Sequence, residues 1–440
     1  MPKIIRDALH GDMQFSDAEM RLIDTPPLQR LRGIKQLGTS NLVYPAAVHT
    51  RFEHSLGTCW LARRLLDELL QRGAEIPAGE RVAVAAAALL HDITHIPFGH
   101  TFEDERRIFD RHDEDPERLD HFLHQPELQA ALQATGVAER VRELLGGDPL
   151  ERPYARELVS GTVCADLLDY LRRDAFFTGL AQAYDDRLFR SFDLVDGHLT
   201  VDLEKNGLFR HDILSELVHL LRVRYNLTER VYYHHAKAVA GAMISKALEL
   251  ALAASKISLP ELYHLTDDSL LYLLRERCRT LPDAMMLLDD LASRRLYKRV
   301  YLLTLPGYGR VGIGAEQQER LAAAYHYNRE LRAAAEERLA TALKVPSGAV
   351  ILYCPSPHMQ LKEAAVPVRV EPHRVLPLSE LGNPEVASLA AKYRGLWRLF
   401  VCLRRDYGDR FGRAGELAEE IFEAANMVRL QDRGQLTLEF

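Results

Sequence analysis

The sequence predicts a mainly α protein, with an all-helical body over residues 1–250 and a smaller α+β region over 251–440. Three observations carry that prediction. Apolar residues recur at helical spacing over 55–70, and a nearly all-apolar, alanine-rich run follows over 80–92. A single weakly alternating stretch, 189–203, interrupts this helical half. After about residue 290 strand-like runs interleave with helices, the pattern of a separate α+β unit.

Taken in order, Leu56, Trp60, Leu61, Leu65 and Leu69 line one face of a helix that stops before Arg72-Gly73. Residues 80–92 are apolar on nearly every side, which marks a central helix. Gly146-Gly147-Asp148-Pro149 is a loop, and 157–177 and 214–250 read as long helices. Between them, Asp196-Gly197 is the turn of a β-hairpin. Residues 296–305, 349–353 and 365–370 read as strands, the last at a sheet edge because Pro367 has no N–H to donate. Residues 316–343 and 384–404 read as helices, and no internal repeat or low-complexity tract is present.

Composition excludes several classes. Of 440 residues, 47% are apolar and 27% charged, as in ordinary globular proteins. The longest clean apolar run, 82–90, is far short of the ~20 residues that a membrane span needs. Met1-Pro-Lys-Ile-Ile does not open a secretory signal. The five cysteines are scattered and form no CxxC pair, which suits a reducing, cytoplasmic location. A net charge of -7 disfavours a broad nucleic-acid-binding surface but leaves room for a local pocket for a phosphorylated ligand. Eighteen histidines are many for this length, and seven of them (His49, His54, His91, His95, His100, His112 and His235) fall in the segments that carry polar motifs.

The densest of these segments is His91-Asp92-Ile-Thr-His95-Ile-Pro-Phe-Gly-His100. A His-Asp pair at the end of a buried apolar helix is costly unless satisfied, and an imidazole and a carboxylate facing one cavity are natural metal ligands. His95 lies one helical turn beyond His91, so both rings face one pocket until Pro97 ends the helix. Upstream, His49-Thr-Arg51-Phe-Glu-His54-Ser-Leu-Gly57 places a histidine at the start of a helix with an arginine one turn earlier. Downstream, Asp166, Asp169, Tyr170, Arg173 and Asp174 form a polar stripe along one helix face.

This ordered set resembles the HD superfamily of metal-dependent phosphohydrolases, and more closely its deoxynucleoside triphosphate triphosphohydrolase branch. The segment Gln29-Arg-Leu-Arg-Gly-Ile-Lys-Gln36-Leu37-Gly38, then Tyr44-Pro45, then His49-to-Gly57, is similar to that branch in order and spacing, and the likeness covers about residues 5–245. It implies His54, His91, Asp92 and Asp166 as ligands of a divalent metal, whether manganese, iron, nickel, zinc or magnesium. Arg51 would then stabilise charge on the phosphoryl oxygens, and His95, His100 and His112 would be pocket histidines, with His112 protonating the leaving oxygen. Gln36, Leu37, Tyr170 and Asp174 would read and wall the sugar, Tyr232 would be a second sugar wall, and Arg224 would bind phosphate. The substrate implied is a nucleotide, and a homo-oligomer is expected.

One departure bears on the substrate. The eukaryotic enzymes of this branch carry a phosphate-holding lysine directly after the last metal aspartate, where this chain has Leu167. Either another cation such as Arg173 or Lys237 replaces it, or the phosphate chain of the substrate is shorter. Nor does a SAM module precede the helical body. An HD-type phosphomonoesterase or phosphodiesterase and a non-catalytic nucleotide-binding module are the alternatives. Two weaker signals lie outside this set. Gly307-Tyr-Gly309-Arg-Val-Gly312 has dinucleotide-fingerprint spacing but lacks the second strand with its acidic residue, so it reads as a glycine-rich connection. The terminal Gln435-Leu-Thr-Leu438-Glu-Phe440 resembles peptides that dock in the cleft of the bacterial sliding clamp.

Overall fold

The computed structural model describes residues 3–306 and 312–428. It is mainly helical, as the periodicity predicts, with small sheets gathered toward the C-terminal half. The glycine motif at 307–312 lies mostly outside the described residues, and the tail at 435–440 lies wholly outside them.

The helices Arg51–Gln71, Ala78–Leu90 and Ala165–Thr178 form the heart of the body, the first packing against both of the others. Thr50 and Glu53 cap the first helix reciprocally, the Thr50 backbone N–H donating to Glu53 Oε2 at 2.6 Å. Ala83 to Ala88 are all buried, and these small side chains let neighbouring helices approach from several sides. Among the described residues no helix is long and apolar enough to cross a membrane. All five cysteines are free and buried.

Several predicted elements are divided. The helix expected over 157–177 is two, Pro153–Ser160 and Ala165–Thr178, separated at Gly161 and restarted by Cys164 as N-cap. The helix expected over 214–250 is also two, His211–Leu227 and His235–Ala253, joined through a π turn at Thr228–Tyr232. That turn re-aims the chain so that the Tyr232 hydroxyl reaches Asp174 at 2.6 Å. Asn328 caps a fresh helix, Arg329–Leu343, inside the segment expected to run unbroken over 316–343. His91 is the C-cap of the Ala78–Leu90 helix, so His95 is brought round by turns rather than by a continued helix.

The hairpin around Asp196-Gly197 is present, both turn residues having positive φ, with Val195 paired to His198. Its strand His198–Asp202 pairs in parallel with Pro367–Glu371, which pairs on its other side with Arg374–Pro377. Pro367–Glu371 is therefore an inner strand, not the expected edge; Pro367 is tolerated as its first residue. A second sheet has the order Lys298–Thr304, Arg398–Leu403, Val350–Tyr353, all antiparallel. Its central strand falls inside the helix expected over 384–404, which ends at Arg394. Leu399 to Leu403 are buried on both faces, so no period of two is visible there. An N-terminal hairpin, Lys3–Asp7 with Gly11–Phe15, was not anticipated.

Candidate active site and metal centre

The donor atoms of the four expected ligands converge. His54 Nε2 lies 3.0 Å from Asp166 Oδ1, 3.2 Å from His91 Nε2 and 3.9 Å from Asp92 Oδ2. His91 Nε2 lies 3.5 Å from Asp92 Oδ1 and 3.7 Å from Asp166 Oδ1. His54, His91 and Asp166 each offer a donor atom to one cation-sized position, and Asp92 stands beside them, its two oxygens turned one to each histidine.

The surrounding groups orient these donors. The second ring nitrogen of His54, Nδ1, is 2.8 Å from Asp169 Oδ2, and that of His91 is 2.9 Å from the Ala88 carbonyl. With Nδ1 donating in each ring, Nε2 is left to face the ligand cluster. Asp169 is fully buried and accepts two hydrogen bonds from Arg173, at 2.8 and 2.9 Å, while His10 Nε2 stands 2.7 Å away. Arg173 also donates to Asp7 at 2.8 Å, so the unexpected N-terminal hairpin supplies two residues to this network. A Cβ on Gly57 would stand 2.0 Å from Asp169 Oδ1, so only glycine lets the helix come this close.

Electrostatics follow from burial and pairing. Burial opposes a charge on His54, yet its hydrogen bonds to Asp166 and Asp169 outweigh that and raise its pKa to about 10. Burial likewise opposes the charge on Asp92, but Arg51 and His91 hold its carboxyl well below the usual range. Arg51 Nη1 donates to Asp92 Oδ2 at 2.7 Å.

Beside this cluster stands a second one. His95 stacks on His112 with ring centres 3.6 Å apart, and His100 lies 4.7 and 5.0 Å from the two. Glu103 Oε2 is 3.0 Å from His100 Nδ1 and 3.2 Å from His112 Nδ1, and Arg118 donates to Oε1 at 3.2 Å. His95 Nε2 is 3.2 Å from Asp92 Oδ1 without meeting hydrogen-bond geometry, and both ring nitrogens are buried with no hydrogen-bond partner among the described residues. Burial and Arg51 push the His95 pKa well down, and burial lowers that of His112 despite Glu103. The loop carrying these rings is anchored by Arg30, which donates to the carbonyls of Ile93 and His95 at 3.0 and 2.7 Å. Gly99, with φ +55°, passes so near that a Cβ would meet Arg51 Nη2 at 2.5 Å.

The residues expected at the sugar also come together. Asp174 accepts from the Tyr232 hydroxyl at 2.6 Å and lies 2.9 Å from His49 Nε2. Arg224 sits near the rings of Tyr170 and Tyr232, 5.4 and 5.2 Å from their centres. Leu37 is buried, and Gln36 Oε1 is buried without a hydrogen-bond partner among the described residues. Neither substitute for a cation at Leu167 is free: Arg173 is bound to Asp169 and Asp7, and Lys237 Nζ donates to Glu105 at 2.5 Å. His235 stands beside His234 and lines a small cavity with Arg299 and Arg398. Sequence reasoning missed Asp169 as the partner of His54, and also His10, Glu103 and Glu363, the last accepting from Arg224 Nε at 3.1 Å. Asp169 was visible in the stripe, and Glu103 falls one turn after His100. His10 and Glu363 carry no local signal, because the fold alone brings them in.

Two imidazoles and two carboxylates thus gather on the helical body with an arginine and further histidines beside them, a donor set suited to a divalent metal ion. A model of the HD domain matches residues 51–174, and one of the HD associated region matches 185–430. The chain belongs to the HD superfamily of metal-dependent phosphohydrolases. It is 32% identical over 305 residues to an uncharacterised protein of Methanocaldococcus jannaschii, a match covering 68% of this chain and 59% of that one. It is also 32% identical over 346 residues to the deoxynucleoside triphosphate triphosphohydrolase SAMHD1 of Bos taurus, covering 68% of this chain and 58% of the relative. The match thus spans about three-fifths of the length of these relatives. In fold, the chain is similar to the crystal structure of a hypothetical protein from Aquifex aeolicus, with a TM-score of 0.70 and 24% identity over 94% of this chain and 100% of that one.

Proposed function

We propose that the protein hydrolyses deoxynucleoside triphosphates to the deoxynucleoside and triphosphate. The observation that supports this reading is that His54, His91 and Asp166 cluster on the same helical body on which Tyr232 bonds to Asp174 and Arg224 lies against Tyr170 and Tyr232. The likeness to a named triphosphohydrolase in Bos taurus supports it. The four ligands would hold a divalent cation (manganese, iron, nickel, zinc or magnesium), which when bound lowers the pKa of water and polarises a phosphoryl oxygen.

The remaining roles belong to the chain. Arg51 leaves Asp92 and donates to the phosphate, offsetting charge that grows as water adds to phosphorus and the bond to the sugar oxygen breaks. The departing sugar oxygen needs a proton. Among the three pocket histidines His100 is the accessible one, its side chain 37% exposed against 9% for His112 and 0% for His95. The resemblance assigns that proton to His112, and the more exposed His100 beside it is the alternative donor, with Glu103 Oε2 meeting Nδ1 of both rings. His95 and His112, buried and stacked, wall the same space. Asp174, which accepts from Tyr232, would take a sugar hydroxyl as well, and the buried Gln36 Oε1 would be a further acceptor.

The apolar Leu167, with Arg173 and Lys237 both engaged, favours as second reading a phosphomonoesterase or phosphodiesterase acting on a shorter phosphate chain. A panel of deoxynucleoside tri- and monophosphates with several metals separates the two. Release of triphosphate by the wild-type chain, reduced at least ~10³-fold in Asp92→Ala, is the expected result. Equal product from both proteins refutes hydrolysis at this centre. We further propose a cytoplasmic homo-oligomer, supported by the free buried cysteines for location. Contact with a sliding clamp through Gln435, Leu438 and Phe440 is proposed from the motif alone.

A further inference from the structure

Arg224 has a carboxylate partner from far along the chain. Its Nε donates to Glu363 Oε1 at 3.1 Å, across 139 residues of sequence. Glu363 lies on the short 3₁₀ turn Lys362–Ala365 and is 6% exposed. A carboxylate buried to this extent is held there by its pairing, since desolvating an unpaired charge is costly. Arg224 itself lies beside the Tyr170 and Tyr232 rings, and Tyr232 is bonded to Asp174. The pair therefore sits beside the residues proposed above to wall the sugar.

The neighbouring cations are likewise engaged: Arg51 with Asp92, Arg173 with Asp169 and Asp7, and Lys237 with Glu105. Asp92 and Asp169 belong to the metal centre and its support. Glu363 is different: among the described residues its carboxylate is bonded to Arg224 and to no proposed metal ligand. Its negative charge cancels that of Arg224 at short range and repels an incoming phosphate chain, more strongly the more charge the chain carries.

We propose that Glu363 is a built-in competitor for Arg224, which lowers the affinity of the pocket for long phosphate chains and so determines the chain length it retains. The inference rests on the reading above that the phosphate end of the substrate reaches Arg224. Free chain holds Arg224 on Glu363; a polyphosphate must displace that carboxylate, and on its departure the carboxylate closes the pair again. The C-terminal region thereby tunes a site whose metal ligands all lie before residue 167.

The test uses inorganic probes, so that it does not depend on nucleotide turnover. Binding of tripolyphosphate and of orthophosphate to the full-length, metal-loaded protein is measured calorimetrically, with magnesium in excess so that chelation is the same for each protein compared. Glu363→Gln keeps an oxygen facing Arg224 Nε but removes the charge. It should tighten tripolyphosphate binding roughly tenfold and orthophosphate binding less than about twofold, and the gain should shrink at high salt. Glu363→Ala should tighten tripolyphosphate binding too. Unchanged or weaker tripolyphosphate binding in Glu363→Gln, including no measurable binding by either protein, overturns the proposal. So does loosening in Glu363→Ala with no change in Glu363→Gln, which would make Glu363 a strut for Arg224. Absence of deoxynucleoside triphosphate turnover by the wild-type protein would instead refute the functional reading, and leaves this comparison interpretable.

Discussion

His54 is held from both sides of its ring. Nε2 faces the ligand cluster, and Nδ1 is fixed by Asp169, which is fixed in turn by Arg173 and His10. A ligand so oriented loses little freedom on taking up a metal, and outer carboxylates of this kind are commonly worth ten- to a hundredfold in metal affinity. Asp169→Ala is therefore expected to weaken manganese binding by about 10–100-fold, measured by competition with a chromophoric chelator. An affinity equal to wild type would show that the ring is oriented by packing alone. The same substitution strands the buried Arg173 beside Asp7, so thermal stability is recorded in parallel.

At the scale of elements, the π turn Thr101–Glu105 links the histidine cluster to the C-terminal half. Just beyond it the buried Arg106 donates to Glu249 at 2.8 Å and to Glu336 at 2.7 Å. Lys246 adds a 3.0 Å contact to Glu336, and Arg332 donates to Glu249 at 2.6 Å. Burial resists the charge on Glu336, but Arg106 and Lys246 outweigh it and lower its pKa from 4.5 to about 2. A depressed carboxylate contributes stability that is complete above its unfolded pKa and is lost as pH falls towards the folded value. The group should thus contribute on the order of 3 kcal/mol above pH 4.5, lost between pH 4.5 and about 2. Denaturant unfolding across that range should show a shallower acid loss in Glu336→Gln than in wild type, with lower stability at neutral pH. Parallel acid profiles would remove Glu336 from the account.

On the scale of the whole molecule, the two halves share structure. Strand Pro367–Glu371 completes a sheet begun by the hairpin at 192–202, and Arg369 donates to Asp202 at 2.6 Å and to Asp193 at 3.0 Å. Strand Arg398–Leu403 is the centre of the other sheet. A chain ending before residue 349 would expose the inner edge of one sheet and lose two of the three strands of the other. It is expected to aggregate on expression rather than yield a folded, metal-binding body. Recovery of soluble protein with a cooperative melt and unchanged metal affinity would contradict this.

Much of this was legible in residue order. The His-Asp pair, the upstream His54 and the downstream Asp166 stripe pointed to one centre, because each sat at the end or on one face of an apolar helix. The hairpin at Asp196-Gly197 was legible because its turn requires positive φ at both residues. Breaks inside helical patterns were not, since Thr228–Tyr232 and Asn328 interrupt runs whose apolar spacing continues across them. Strand Arg398–Leu403 was hidden because a strand buried on both faces reads like a buried helix segment.

The sequence alone determined the helical body, through local periodicity, while His54, His91, Asp92 and Asp166 became candidate metal donors through the family resemblance of the motifs that carry them. Tertiary structure alone decided which groups support and oppose them. His10 on Asp169, Glu103 between two histidines, and Glu363 on Arg224 are pairings set by where distant segments are packed. Inside a protein an unpaired charge is costly, so every buried cation and anion must find a partner in space. Which partner it finds is a property of the fold.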